Sequence, residues 1–301
     1  MNLLSLLLLV VPAQARWMTA SEAGSVIENY VIEYEIFKNG ASTQTVDYTV
    51  RVQGEDAKVS ASQFAIDYNS ATDKVEIIEV MTINGREKIV VEPSMIEDRD
   101  QGNAKDYDAI KVRSLAFPQV RLGSRIHIRY KVITAKPVLE GRWASQVTLS
   151  PGLFIDKLTV RFKSELPLFF KTRDPGRLAL VRQKDKFNIE VTNKKPLPGW
   201  VHAEKDPYFH PQRFTDVVVS THSDWQEYFA LLNRDVDVVL SQPLPKAMQL
   251  WVTGAKGEKD QKAQIRYLME RMSADYRYFG DWRRHEGGVV PRTLAEIGKS
   301  R

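Results

Sequence analysis

The stretch from Val26 to Val52 constrains the fold more than any other part of this chain. Val26 to Phe37 (VIENYVIEYEIF) carries apolar residues at alternating positions over much of its length, and a second alternating run extends from Thr43 to Val52. A period of two puts one side of each run on a core and the other in solvent, which suits a strand and not a helix. Between the runs stands Lys38-Asn39-Gly40, and an Asn-Gly step in that place is a hairpin signal. The arrangement recurs at Val75 to Ile83 (VEIIEVMTI), Asn84-Gly85 and Lys88 to Val91. Further strands are expected at Ala109 to Phe117, Arg125 to Ile133, Arg142 to Leu149, Leu158 to Lys163, Leu178 to Arg182 and Phe187 to Thr192. Many short strands with turn residues between them predict a mainly β chain built of β-sandwich units.

The spaces between these runs are equally informative. Glu97 to Asp108 (EDRDQGNAKDYD) is polar and contains glycine, so an exposed loop is expected there. Lys194 to Pro211 is punctuated by Pro196, Pro198, Pro207 and Pro211 and reads as a connector. Beyond it the pattern turns helical. Ser223 or Asp224 can cap a helix through Trp225, Tyr228, Phe229, Leu231 and Leu232. A second helix, about Lys259 to Tyr276, places Ile265, Leu268, Met269 and Met272 on one face, and a third opened by Thr293 would carry Leu294 and Ile297. The expected division is therefore 16–135 as an N-terminal β-sandwich part, 136–212 as a second β-rich part with its connector, and 213–301 as a helical region.

Composition limits the function. The 301 residues include 43 Lys and Arg against 38 Asp and Glu, a net charge of +5 without a basic block of the kind that binds nucleic acid. Leu3 to Val11 is an apolar run followed by Ala13-Gln14-Ala15, a pattern of signal peptide and cleavage site over residues 1–15. Export, with a mature start near Arg16 and a periplasmic location, is the expectation. The run is far short of the ~20 residues a membrane span needs, and no other segment is long and apolar enough to span. The chain has no cysteine, so neither disulfides nor thiolate metal ligands are available.

Four segments carry a family likeness. Asp67 to Asp98 has the order Tyr-Asn, Lys-Val-Glu-Ile, Gly, Pro, Ile; Ala116 to Val132 (AFPQVRLGSRIHIRYKV) has Phe-Pro, then Gly-Ser, then Arg-Tyr. Val217 to Leu232 (VVVSTHSDWQEYFALL) and Gly287 to Arg301 (GGVVPRTLAEIGKSR) complete the series in order. Together they resemble exported bacterial proteins in which a β-sandwich domain of unknown function precedes a transglutaminase-like domain. The resemblance implies that residues 213–301 are the helical start of a transglutaminase-like, papain-like α+β domain. It also implies that the Cys, His and Asp of its triad belong beyond Arg301, so no catalytic residue is assigned in this chain. His127 departs from the family pattern, which often has a carboxylate there. In the resemblance, the loop around Asp281 to Glu286 borders the substrate cleft, which makes Tyr278, Trp282 and His285 the candidate substrate-facing residues.

Other candidate chemistry is thin. His202, His210 and His222 with Glu204 and Asp206 are too irregularly spaced for a metal centre, and nothing would activate Ser300 as a nucleophile. No metal and no cofactor is expected. Trp143, Trp200 and Trp225 read as packing residues. The function expected is that of the non-catalytic N-terminal region of an exported transglutaminase-like protein acting on peptide or protein substrates, with no activity alone. The alternative is a stand-alone cell-envelope binding protein that uses its sheet edges to hold a partner.

Overall fold

A computed structural model describes residues 16–100, 110–137, 139–149, 152–173, 177–201, 215–276 and 293–295. The chain divides into two compact units, Met1–Thr221 and His222–Arg301. The first is mainly β, with several open sheets.

Its largest sheet grows from the first hairpin. Strands β2 (Ser25–Ile36) and β3 (Ser42–Val52) pair antiparallel over their full length, after a two-residue β1 (Arg16–Trp17). Their connection is a three-residue loop, not the two-residue turn that Asn-Gly favours. Gly40 N–H donates to Phe37 C=O (2.9 Å) and Phe37 N–H to Ala41 C=O (2.9 Å). Gly40 takes the left-handed position at φ +85°, as the commonest three-residue hairpin requires. A short helix α1 (Glu55–Ala61) leads to β4 (Gln63–Asn69). Then follow β5 (Asp73–Asn84), β6 (Glu87–Val90), β7 (Ile96–Asp100), β8 (Ile110–Ala116) and β9 (Arg125–Thr134). The β5–β6 turn has Gly85 at φ +67° as its first central residue, the place for glycine in a type II′ hairpin.

The rest of the unit supplies β10 (Ala144–Leu149), β11 (Phe154–Ile155), β12 (Leu158–Ser164), β13 (Phe169–Thr172), β14 (Leu178–Asp185), β15 (Asn188–Asn193), β16 (Trp200–Val201) and β17 (Thr215–Ser220). The large sheet runs in the order β14-β15-β12-β2-β3-β9-β5-β6, with β11 also on β2. Strands from before and after residue 136 thus share one sheet, joined by the parallel pairing of β12 with β2. Two three-stranded sheets, β4-β8-β7 and β10-β17-β13, and the pair β1-β16 complete it.

One core joins these layers. Val46, Val50, Ile126, Ile128, Val160 and Phe162 from the large sheet cluster with Ile66 and Leu115 of one small sheet and Val147, Leu149, Val217 and Val219 of the other. Alternation along each strand puts these residues on a single face, as the sequence periodicity predicts. Aromatic rings anchor the middle: Tyr34 stacks on Phe162 (centroids 5.0 Å, planes 2° apart), and Trp143 meets both edge-on at 5.3 and 6.0 Å. Burial pushes the Tyr30, Tyr48 and Tyr130 hydroxyls up.

Two expectations need correction. Residues 97–100, expected within a loop, belong to β7, because each residue of that strand pairs with β8; residues 101–109 lie outside the described residues. Trp225, expected to be a packing residue, is 73% exposed.

The second unit contains α2 (Trp225–Leu240), α3 (Lys246–Ala255) and α4 (Gln261–Asp275). Asp224 caps α2 by accepting from Glu227 N–H at 2.8 Å, and Asp260 caps α4 in the same way through Ala263 N–H. The ring of Tyr267 lies where a side chain at Gly254 would stand, so glycine lets α4 approach α3 closely. Trp251 packs edge-on against Tyr276 at 5.4 Å. The apolar face expected on α4 exists, but Ile265, Met269 and Met272 on it are exposed, as are Phe229 and Leu240 on α2.

Candidate functional surfaces

The outward face of the large sheet is a ladder of opposite charges. Alternation on β2, β3, β9, β12 and β15 gives that face Glu33, Asp47, Arg129, Arg161 and Glu190. Arg161 donates to Glu190 (2.7 Å) and to Glu33 (2.8 Å), and these bonds raise its pKa in that order of weight. A depression of about 220 Å³ lies here, lined by Val31, Glu33, Thr45, Asp47, Arg129 and Arg161. His127 stands on the same face, with Nδ1 3.1 Å from Thr49 Oγ1 and Nε2 3.3 Å from Glu79 Oε2. Near one end, Arg51 and Arg125 face each other across β3 and β9, an unfavourable pairing of like charges. The Glu28 carboxylate reconciles them at 2.7 and 2.6 Å. Partial burial works against ionisation of Glu28, but the two guanidinium groups outweigh it and hold its pKa below the ordinary value. Cations and anions are matched strand by strand on this face. That suits a solvated surface better than a site capturing a net charge.

A second concavity of about 290 Å³ lies on the small sheet β4-β8-β7. Ala65, Ser114 and Ala116 are its small-residue floor, with Gln63, Met95 and Arg99 around it. Across the same sheet Arg113 clamps Asp98 through two hydrogen bonds (2.8 and 2.6 Å) and donates to Val75 C=O at 2.8 Å. The bonds from Arg113 draw the Asp98 pKa down against the opposing effect of burial. This clamp ties β7 and β8 to β5.

The substrate-facing candidates Tyr278, Trp282 and His285 lie outside the described residues, as do His202, Glu204, Asp206, His210 and Ser300. His222 is half-buried and meets the Tyr228 ring edge-on at 5.2 Å. Among the described residues no three His, Asp or Glu converge as a metal site would need. Sequence reasoning passed over β4 and with it the concavity, although Phe64, Ile66 and Tyr68 alternate in QFAIDYN as a strand should.

The sequence pattern of one family, DUF3857, described as a domain of unknown function with a solved structure, matches residues 38–198, more than half of the chain. The chain belongs to the DUF3857 family. The matched span opens in the β2–β3 loop and takes in the concavity on β4-β8-β7, but of the charged face it leaves out the β2 residues Glu28, Val31 and Glu33. No curated protein matches the sequence. Among solved structures, the DUF3857 chain is similar to a protein from Parabacteroides distasonis described as a "putative protease", with a TM-score of 0.67 and 13% identity over 92% of this chain. At that identity the likeness concerns fold alone. The chain spans about half of that protein (53%). Yeast LTA4 hydrolase (TM-score 0.34, 9% identity, 65% of this chain and 29% of that one) and an M1 zinc metallopeptidase from Deinococcus radiodurans (0.33, 14%, 65% and 42%) are likenesses too slight to bear on the fold. Among the described residues no helix is long and apolar enough to cross a membrane.

Proposed function

We propose that this DUF3857 chain is the non-catalytic, polypeptide-engaging part of an exported enzyme that acts on peptide or protein substrates. In this reading residues 213–301 begin a transglutaminase-like domain whose Cys-His-Asp residues are supplied by further sequence. The observation that carries it is the match along 92% of this chain to a protein nearly twice as long that bears a protease name. Two features support it. The chain has no cysteine to serve as the nucleophile. The helices of the second unit expose Phe229, Leu240, Ile265, Met269 and Met272, an apolar surface of the kind that takes up more polypeptide. The apolar run Leu3 to Val11 and Ala13-Gln14-Ala15 support export to the periplasm.

The test is to incubate purified protein, Arg16 to Arg301, with a denatured protein substrate and with an amine acceptor. Mass spectrometry should show neither cleaved amide bonds nor new cross-links. Turnover of either kind would sink the proposal.

A further inference from the structure

The small sheet beside the 290 Å³ hollow ends in a strand whose backbone is poised to pair with another chain. We infer that the free edge of β4 takes up an extended polypeptide segment by antiparallel strand addition. The segment would carry Lys or Arg opposite Asp67 and a small apolar residue opposite Ala65. This inference does not depend on whether the protein belongs to an enzyme.

Hydrogen-bond parity identifies the free groups. Phe117 N–H donates to Ser62 C=O at 2.8 Å, which makes Ser62–Phe117 a hydrogen-bonded pair. Hydrogen-bonded pairs alternate along an antiparallel ladder. Phe64, Ile66 and Tyr68 therefore bond inward to β8, opposite Leu115, Arg113 and Lys111. Gln63, Ala65 and Asp67 point their N–H and C=O groups away from it. Asn69, next in that series, confirms the direction, since its outward N–H is capped by the Asp73 carboxylate at 3.1 Å. Among the described residues the corresponding groups of Gln63, Ala65 and Asp67 have no such partner. All three residues are exposed.

Proteins usually blunt such edges. Strand β7, on the other side of the same sheet, is short and carries four charges in five residues (IEDRD). Strand β6 has only four residues, two of them charged, and β14 is interrupted by two register shifts. Strand β4 has seven residues, QFAIDYN, with neither proline, basic residue nor register shift. An unblunted edge of that length matches what an extended main chain presents, with two hydrogen bonds for each of the outward residues.

Side chains then set the preference. In antiparallel addition, a residue opposite Asp67 is followed two positions later by one opposite Ala65, and after two more by one opposite Gln63. Asp67 is exposed and has no ion-pair partner among the described residues, so the first position favours a cation. Ala65 borders the hollow floored by Ser114 and Ala116 and walled by Met95, so a small apolar side chain opposite it can lean onto that surface.

The test uses the full chain and a capped, fluorescein-labelled heptapeptide, Thr-Val-Lys-Val-Ala-Thr-Val, beside a version with Glu in place of Lys. Saturable binding of the Lys peptide is expected, with amide shifts at Gln63, Ala65 and Asp67 by nuclear magnetic resonance. Ala65→Pro removes one outward N–H while leaving the bonds to β8 intact, and should weaken binding about tenfold. Asp67→Lys should reverse the preference between the two peptides. The inference is overturned by absence of saturable binding, by equal affinity for both peptides, or by unchanged binding to Ala65→Pro. Should Ala65→Pro lower the melting temperature, Asp67→Lys decides: retained preference for Lys overturns the inference, and reversal sustains it. None of these results bears on the amide-bond assay above.

Discussion

Truncating Phe162 tests whether the two halves of the large sheet are held by one core. Phe162 sits on β12, the strand whose parallel pairing with β2 brings in the second half, and its side chain is 2% exposed. Its ring lies flat on Tyr34 at 5.0 Å and edge-on to Trp143 at 6.0 Å. Phe162→Ala should cost about 3–5 kcal/mol, the transfer and cavity loss for a buried phenylalanine. Phe162→Leu keeps most of the volume and should cost about 1–2 kcal/mol, the lost aromatic contacts included. With a urea slope of about 3 kcal/mol per M for a unit this large, the midpoints should fall by about 1–1.7 M for Phe162→Ala and about 0.3–0.7 M for Phe162→Leu. Urea titration followed by far-ultraviolet circular dichroism reads both, with the helical unit expected to unfold in its own transition. Phe187→Ala is the control, since Phe187 is 39% exposed and surface truncations usually stay within about 0.5 kcal/mol. A Phe162→Ala midpoint no lower than that of Phe187→Ala would refute the reasoning.

Three further outcomes follow from the geometry. Glu28 has a folded pKa below its ordinary value of 4.5, so its stabilisation is complete above that value and is lost as pH falls through the folded pKa. Acid titration of thermal stability should therefore show a shallower loss below about pH 4.5 for Glu28→Gln than for the parent protein. Gly40→Ala places a Cβ 2.5 Å from Arg142 C=O at a φ of +85°; it should cost at least about 1–2 kcal/mol in chemical denaturation, whereas an unchanged midpoint would exclude the close approach. Asp224→Ala removes the α2 cap and should lower the stability of the helical unit by about 1 kcal/mol, read from the helical transition in circular dichroism.

The mainly β class was legible because alternation is a local property. Each of the runs from Val26 to Val52 shows its buried face without reference to the rest of the chain. The start of α2 was legible for a similar reason, since Asp224 caps within three residues of itself; α4 was legible from the spacing of Ile265, Leu268, Met269 and Met272, and its Asp260 cap emerged only in the structure. Strand β7 was hidden because its charges read as loop, while its partner β8 lies beyond the intervening residues and supplies every ladder bond. The Gly-Ser step in AFPQVRLGSRIHIRYKV drew notice only as part of a family likeness, and the structure gives it a physical basis. Ser124 is buried and donates to the Asn84 side chain at 2.5 Å, while Gly123 turns the chain at φ +82°. No pattern read along the chain links Asn84 to Ser124, because the contact exists only once β5 lies beside β9. The same holds for the hollow, whose floor is drawn from β4 and β8, and for the free edge of β4, which is defined by what does not pair with it.

The central claim, that this chain is the non-catalytic part of a longer enzyme, is tested most directly by the intact mass of the protein as its own cell produces it, with peptide mapping. The account predicts a mass well above that of a product running from Arg16 to Arg301, with cysteine-containing peptides joined beyond Arg301. A mass matching Arg16 to Arg301 would contradict it.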